Sequence, residues 1–145
     1  MKRIISIILV LMLSALCVLC TGAENEISVI VNGTLIEFDV APQIVNNRTM
    51  VPMRGTFEAL GAKVQWHGEM RLAVATYGTT IISMRIGDSV FSVTDVLTNR
   101  TTVIALDVPA QIIDNRTLIP LRAVSEALGK KVEWNSSTRT AIITG

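Results

Sequence analysis

The stretch NNRTMVPMRGTFEALGAKVQW, Asn46 to Trp66, returns 68 positions later as DNRTLIPLRAVSEALGKKVEW, Asp114 to Trp134, at the same length and without a gap. Sliding the chain against itself at that shift makes 17 of the 34 aligned pairs from Gln43/Gln111 to Thr76/Thr144 identical. Most of the others are conservative, such as Val45/Ile113, Met50/Leu118 and Val51/Ile119. Chance does not produce such a match, so the chain carries an internal duplication, with copies spanning about 34–76 and 102–144.

Each copy has a physical reading. A short apolar run, Gln43 to Val45 or Gln111 to Ile113, meets Asn46-Asn47 or Asp114-Asn115, residue types that tolerate the left-handed backbone of a tight hairpin turn. The chain returns through Thr49–Val51 or Thr117–Ile119 and reaches Pro52 or Pro120, which has no N–H for a ladder and a fixed φ suited to a helix start. Beyond the proline the apolar spacing changes from two to about three and a half. Met53, Phe57 and Leu60 then share one helical face, as do Leu121, Val124 and Leu128. Gly61 and Gly129 stop these helices, which at about two turns would not persist unless packed on a sheet. A strand ending in Trp66 or Trp134, a polar turn and a last strand, Leu72 to Tyr77 or Thr140 to Thr144, complete each copy.

Between the copies, Thr79 to Asp95 reads as two strands hinged at Gly87-Asp88, and Thr101 to Ile113 as a third. The counterpart of that third strand near the start, Ile27 to Val45, carries an Asn32-Gly33 hairpin signal. No Pro/Ser linker separates the copies. The expectation is an α+β fold of two interlocked repeats, with antiparallel sheet strands packed around two short helices.

The first residues belong to a different argument. Lys2 and Arg3 precede an apolar run, Ile4 to Leu19, and then the small-residue exit Cys20 to Ala23. This predicts a secretory signal peptide over residues 1–23 and a mature domain over 24–145. The apolar run is shorter than the roughly 20 residues of a spanning helix. Its removal takes away both cysteines, so the mature chain is expected to have no disulfide and no thiolate metal site. An exported domain without cysteine suggests a bacterial envelope. Taking Lys2 and Arg3 from the 13 basic residues leaves 11 against 12 acidic ones. No basic field remains for nucleic acid or anionic lipid, and no membrane contact is expected once the signal is cleaved.

Candidate sites are few. The single histidine, His67, corresponds to Asn135 in the other copy, so no metal-ligand set forms around it. The glycines stand alone, without a phosphate-cradling pattern. No catalytic, cofactor-binding or metal residue is expected. Arg54 and Arg122 lie four before Glu58 and Glu126 on their helices. They read either as anion clamps or, as the duplication favours, as ties from the helix start to neighbouring backbone carbonyls. Trp66 and Trp134 read either as exposed platforms for a sugar ring or a partner, or as core plugs between helix and sheet. Scarce aromatics favour the core. Five Asn-X-Ser/Thr tripeptides, at Asn32, Asn47, Asn99, Asn115 and Asn135, read as incidental to turn geometry, two of them lying in the repeated turn.

The repeated turn–Pro–Arg–helix–Gly–Trp pattern, together with the joining piece ISMRIGDSVFSV, resembles the stalk-domain family, also called the copper amine oxidase N-terminal-like domain. The likeness runs from about Ile27 to Thr144. It implies a small α+β domain with an antiparallel sheet wrapped around helices, of a kind common in exported proteins of Gram-positive bacteria. In the oxidases this domain is an accessory stalk, and the copper ligands and quinone cofactor lie in a separate catalytic domain. The resemblance therefore brings no oxidase residue to this sequence. The functional expectation is a non-enzymatic stalk or scaffolding module, secreted or cell-wall associated, that binds a protein or cell-wall component. A carbohydrate-binding module using Trp66 and Trp134 is the alternative. Exposed strand edges add an expectation of edge-strand self-association.

Overall fold

The computed structural model describes residues 26–145, and the expected signal peptide, residues 1–23, lies outside them. In the first copy the order is β3 (Gln43–Val45), β4 (Arg48–Pro52), α1 (Met53–Ala59), β5 (Lys63–His67) and β6 (Leu72–Tyr77). The second repeats it as β10 (Gln111–Ile113), β11 (Arg116–Pro120), α2 (Leu121–Ala127), β12 (Lys131–Asn135) and β13 (Thr140–Thr144). The remaining strands are β1 (Ser28–Val31), β2 (Thr34–Ile36), β7 (Thr80–Arg85), β8 (Val90–Asp95) and β9 (Arg100–Ala105).

Local chemistry explains the shared course. Asn46 and Asn47 have φ of 46° and 63°, and Asp114 and Asn115 have 48° and 62°, so both hairpins turn on two left-handed residues. Asn32 and Asn99 are left-handed as well, and Asn135 Oδ1 accepts from the backbone N–H of Ser137. All five glycosylation-like tripeptides thus begin at an asparagine that shapes a turn. Pro52 and Pro120 each end a strand and precede a helix without a side-chain cap. The helices close on Gly61 and Gly129 at φ 88° and 72°. Ala62 N–H donates to Phe57 O at 2.8 Å and Gly61 N–H to Glu58 O at 3.0 Å; Lys130 and Gly129 make the equivalent bonds to Ser125 and Glu126. This crossed pair of bonds satisfies carbonyls that a helix end leaves open, and a left-handed residue is what permits it.

Three sheets result. The first, β10-β11-β4-β3, joins the two copies through β4 and β11, with Val51 opposite Ile119 and flanking pairs Met50–Pro120 and Pro52–Leu118. Val51 thus faces its own counterpart, and the residues either side of it exchange partners symmetrically, which gives this pairing a local two-fold character. The second sheet is β5-β6-β7-β8-β9 and the third is β12-β13-β1-β2. The third departs from the all-antiparallel expectation, because β1 runs parallel to β13, with Val29 beside Ala141. The reason is one missing strand. In the second sheet β7 lies antiparallel between β6 and β8, which therefore run parallel to each other. Omitting the strand that corresponds to β7 brings the equivalent pair, β13 and β1, into direct contact.

The expectation of one strand from Thr101 to Ile113 is also corrected. β9 stops at Ala105 and β10 begins at Gln111. Between them the chain leaves one sheet to cover another: Val108 is buried with Met50 and Leu118, on the face of β4 and β11 opposite to Val51 and Ile119. Pro109, which cannot donate to a ladder, marks the break. The main interior lies on the other face and draws on all three sheets and both helices, including Val51, Ile119, Phe57, Val124, Ile82 and Ile143. Leaving water at these positions is worth about 1.5–3 kcal/mol per large side chain.

Candidate ligand grooves

Two grooves flank the shared sheet, and they are copies of each other. The first, about 520 Å³, opens between β5, α1 and the β10–β11 hairpin. Trp66 comes from β5, Arg54 and Glu58 from α1, and Ile112 and Arg116 from the other copy's hairpin. The second, about 580 Å³, takes Trp134 from β12, Arg122 and Glu126 from α2, and Ile44 and Arg48 from the β3–β4 hairpin. Each position matches its partner at the 68-residue shift. Each groove is therefore composite, with helix and indole from one copy and hairpin from the other.

The expectation that the tryptophans are core plugs is overturned. Trp66 is 40% exposed and Trp134 37%. Both lie on the inward face of their strands, since Trp66 stands opposite buried Ala73 and Trp134 opposite buried Ala141. Depth makes the difference. β5 and β12 are edge strands, and the residues that pack against the interior from them are Val64 and Val132, two positions earlier. The indoles lie one step further out along each strand, in the grooves. On the same grooves Ile112 and Ile44 are 48% and 49% exposed.

The expected backbone tie by Arg54 and Arg122 is corrected too. Arg54 Nη1 lies 4.0 Å from Glu58 Oε1, and both side chains are mostly exposed. Among the described residues Arg122 has no ion-pair partner. The tie belongs to Arg48 and Arg116 instead. Arg116 donates from Nη1 to its neighbour's carbonyl, Asn115 O, at 3.2 Å and from Nε to Asp39 Oδ2 at 2.6 Å. Arg48 donates to Asn47 O at 3.2 Å and from Nε to Asp107 Oδ2 at 2.9 Å. The hydrogen bond and charge of Arg116 hold the Asp39 carboxyl below its ordinary range. These reciprocal pairs, one copy's arginine with the other's aspartate, pin the crossing segments around Asp39 and Asp107 to the hairpins. Sequence reasoning missed them, although the signal was there. DVAPQIV (39–45) and DVPAQII (107–113) continue the duplication upstream of the segment first aligned.

Chemically the grooves offer surfaces for holding a ligand: a part-exposed indole, an aliphatic side chain, guanidinium donors and carboxylate acceptors. His67 is exposed on β5, and among the described residues no three His, Cys, Asp or Glu side chains gather as a metal site. Among those residues, too, no helix is long and apolar enough to cross a membrane.

Among the described residues, three small sheets, two seven-residue helices and a pair of mixed grooves define a small α+β module. The chain belongs to the copper amine oxidase N-terminal domain family, whose model matches residues 30–143. That family is an N-terminal domain of the oxidases and not their catalytic domain, so the family name carries no copper or oxidase chemistry to this chain. Among curated proteins none matches.

Proposed function

We propose that this protein is an exported, non-catalytic scaffolding module of a Gram-positive envelope, built as two interlocked repeats, that attaches to a cell-wall component. The carrying observation is the pair of matched grooves, each exposing a tryptophan and an isoleucine to solvent with no role in the interior. Large apolar side chains placed twice at the surface, in a fold with an adequate core, are accounted for by a partner that covers them. The family supports the non-catalytic reading, and the sequence pattern of residues 1–23 supports export.

The test is co-sedimentation of the purified 24–145 domain with intact Gram-positive cell walls. Retention in the wall pellet is expected, reduced in a Trp66→Ala/Trp134→Ala double variant whose circular dichroism matches wild type. A domain that stays in the supernatant defeats the wall-attachment reading.

A further inference from the structure

We infer that each groove is a binding site for a polysaccharide, in which a pyranose ring stacks on Trp66 or Trp134 and its hydroxyls bond the neighbouring arginine and glutamate. The inference rests on the wall-attachment reading and names its ligand. Three observations lead to it.

The first is what the duplication has kept. Several identical pairs have a structural duty: Gly61/Gly129 end helices, Asn47/Asn115 turn hairpins, Arg48/Arg116 pin the crossing segments. Trp66/Trp134, Arg54/Arg122, Glu58/Glu126 and Ile44/Ile112 have none as strong: the indoles and isoleucines stay more than a third exposed, and the Arg54–Glu58 ion pair is long and exposed. All four pairs line the grooves. The second is that two equivalent sites select a ligand presenting the same unit at both. A polymer of one sugar does so, whereas a protein surface or a peptide offers different side chains at each.

The third is chemical balance. Each groove is lined by guanidinium donors and carboxylate acceptors, Arg54 and Arg116 with Glu37, Asp39 and Glu58 in one, Arg48 and Arg122 with Asp107 and Glu126 in the other. Opposed charges of this kind leave little net field for a phosphate-rich or strongly acidic polymer. They match a hydroxyl-dense ligand, since each hydroxyl both donates and accepts. The indole face supplies the apolar surface against which the C–H face of a ring packs.

The probes are glycan strands released from Gram-positive walls by a muramidase and freed of peptide and protein, together with hexamers of β-1,4-linked N-acetylglucosamine and of glucose. Binding is followed by intrinsic tryptophan fluorescence and calorimetry. Saturable binding to at least one probe is expected, with two sites per chain. Trp66→Ala and Trp134→Ala each remove one site, the double variant lowers affinity at least tenfold, and Trp→Phe at both positions restores part of it. Absence of binding to all three probes at millimolar concentration overturns the inference, as does binding that the folded double variant retains. If intact walls retain the domain but the glycan strands do not, or protease treatment of the walls abolishes retention, wall attachment stands and the ligand is a protein. If intact walls fail while a soluble glycan binds, the sugar sites stand and wall attachment falls.

Discussion

The two helices occupy equivalent places in the duplication but fill them differently. In α1 the inward positions are Thr56 and Phe57; in α2 they are Val124 and Ser125, all four buried. Thr56 Oγ1 donates to Pro52 O at 2.9 Å, while Ser125 Oγ is buried without a partner. The large residue and the satisfied polar one stand together in the first copy, and the second has neither. The two halves thus share their backbone path and groove lining more closely than the packing between them. Removing bulk should separate the copies most. Phe57→Ala leaves a cavity at a fully buried site and is expected to cost about 3–5 kcal/mol. Ser125→Ala deletes an unpartnered hydroxyl and is expected to be neutral or stabilising by up to about 1 kcal/mol. Chemical denaturation of both variants checks the contrast, and equal losses would mean that the helices do not differ as described.

A second difference lies one residue earlier. Gly55 corresponds to Ala123, and Phe38, whose ring atoms stand 3.1 Å from where a Gly55 Cβ would sit, corresponds to Leu106. A bulkier ring in one copy is matched by a missing methyl, and a smaller residue in the other by its presence. Ala123→Gly is expected to cost about 0.5–1 kcal/mol, the usual penalty of glycine inside a helix. Gly55→Ala should yield little of the same amount back, because Phe38 must shift. Combined with Phe38→Leu, the alanine should recover it, so a double-mutant cycle should show coupling between 38 and 55. Strict additivity would separate the two positions.

Much of this architecture was legible. The hairpin asparagines, the prolines and the terminating glycines act through their own backbone preferences, so their roles follow from residue type. Trp66 and Trp134 were readable only in part: alternation along β5 and β12 gives the face, but whether that face is covered depends on how far a seven-residue helix extends, which is a property of packing. The parallel β1–β13 pair was not legible at all, because it joins residues more than a hundred positions apart and depends on a strand that the second half omits. The reciprocal Arg48–Asp107 and Arg116–Asp39 pairs were visible in principle, since both residues repeat at the same shift, but local spacing does not bring them together. Truncation of the tryptophans addresses the legible half directly. Trp66→Ala and Trp134→Ala should each destabilise by clearly less than the roughly 3–5 kcal/mol typical of a core tryptophan, and by similar amounts. A full core-sized loss at either would restore the plug reading for that copy.

The smallest expected effect concerns the arginine–aspartate pairs, and it sharpens the comparison because both copies make the same contact. Arg116 lowers the Asp39 carboxyl from its ordinary value, 3.8, through its hydrogen bond first and its charge second. A carboxyl held lower in the folded chain than in the unfolded one stabilises the fold at pH values above the unfolded value. That contribution is lost as pH falls through the lowered folded value. In Arg116→Leu the Asp39 carboxyl should therefore titrate at higher pH than in wild type when followed by its side-chain carbon resonance. The variant should also lose less stability than wild type on going from neutral pH to below the folded value. Because Asp39 is exposed, the change in stability should be slight and the change in titration the clearer readout. An unchanged Asp39 titration in Arg116→Leu would show that the pair does not persist in solution, and the crossing segment would then be held by Val40 and Val108 packing on the second face of the shared sheet.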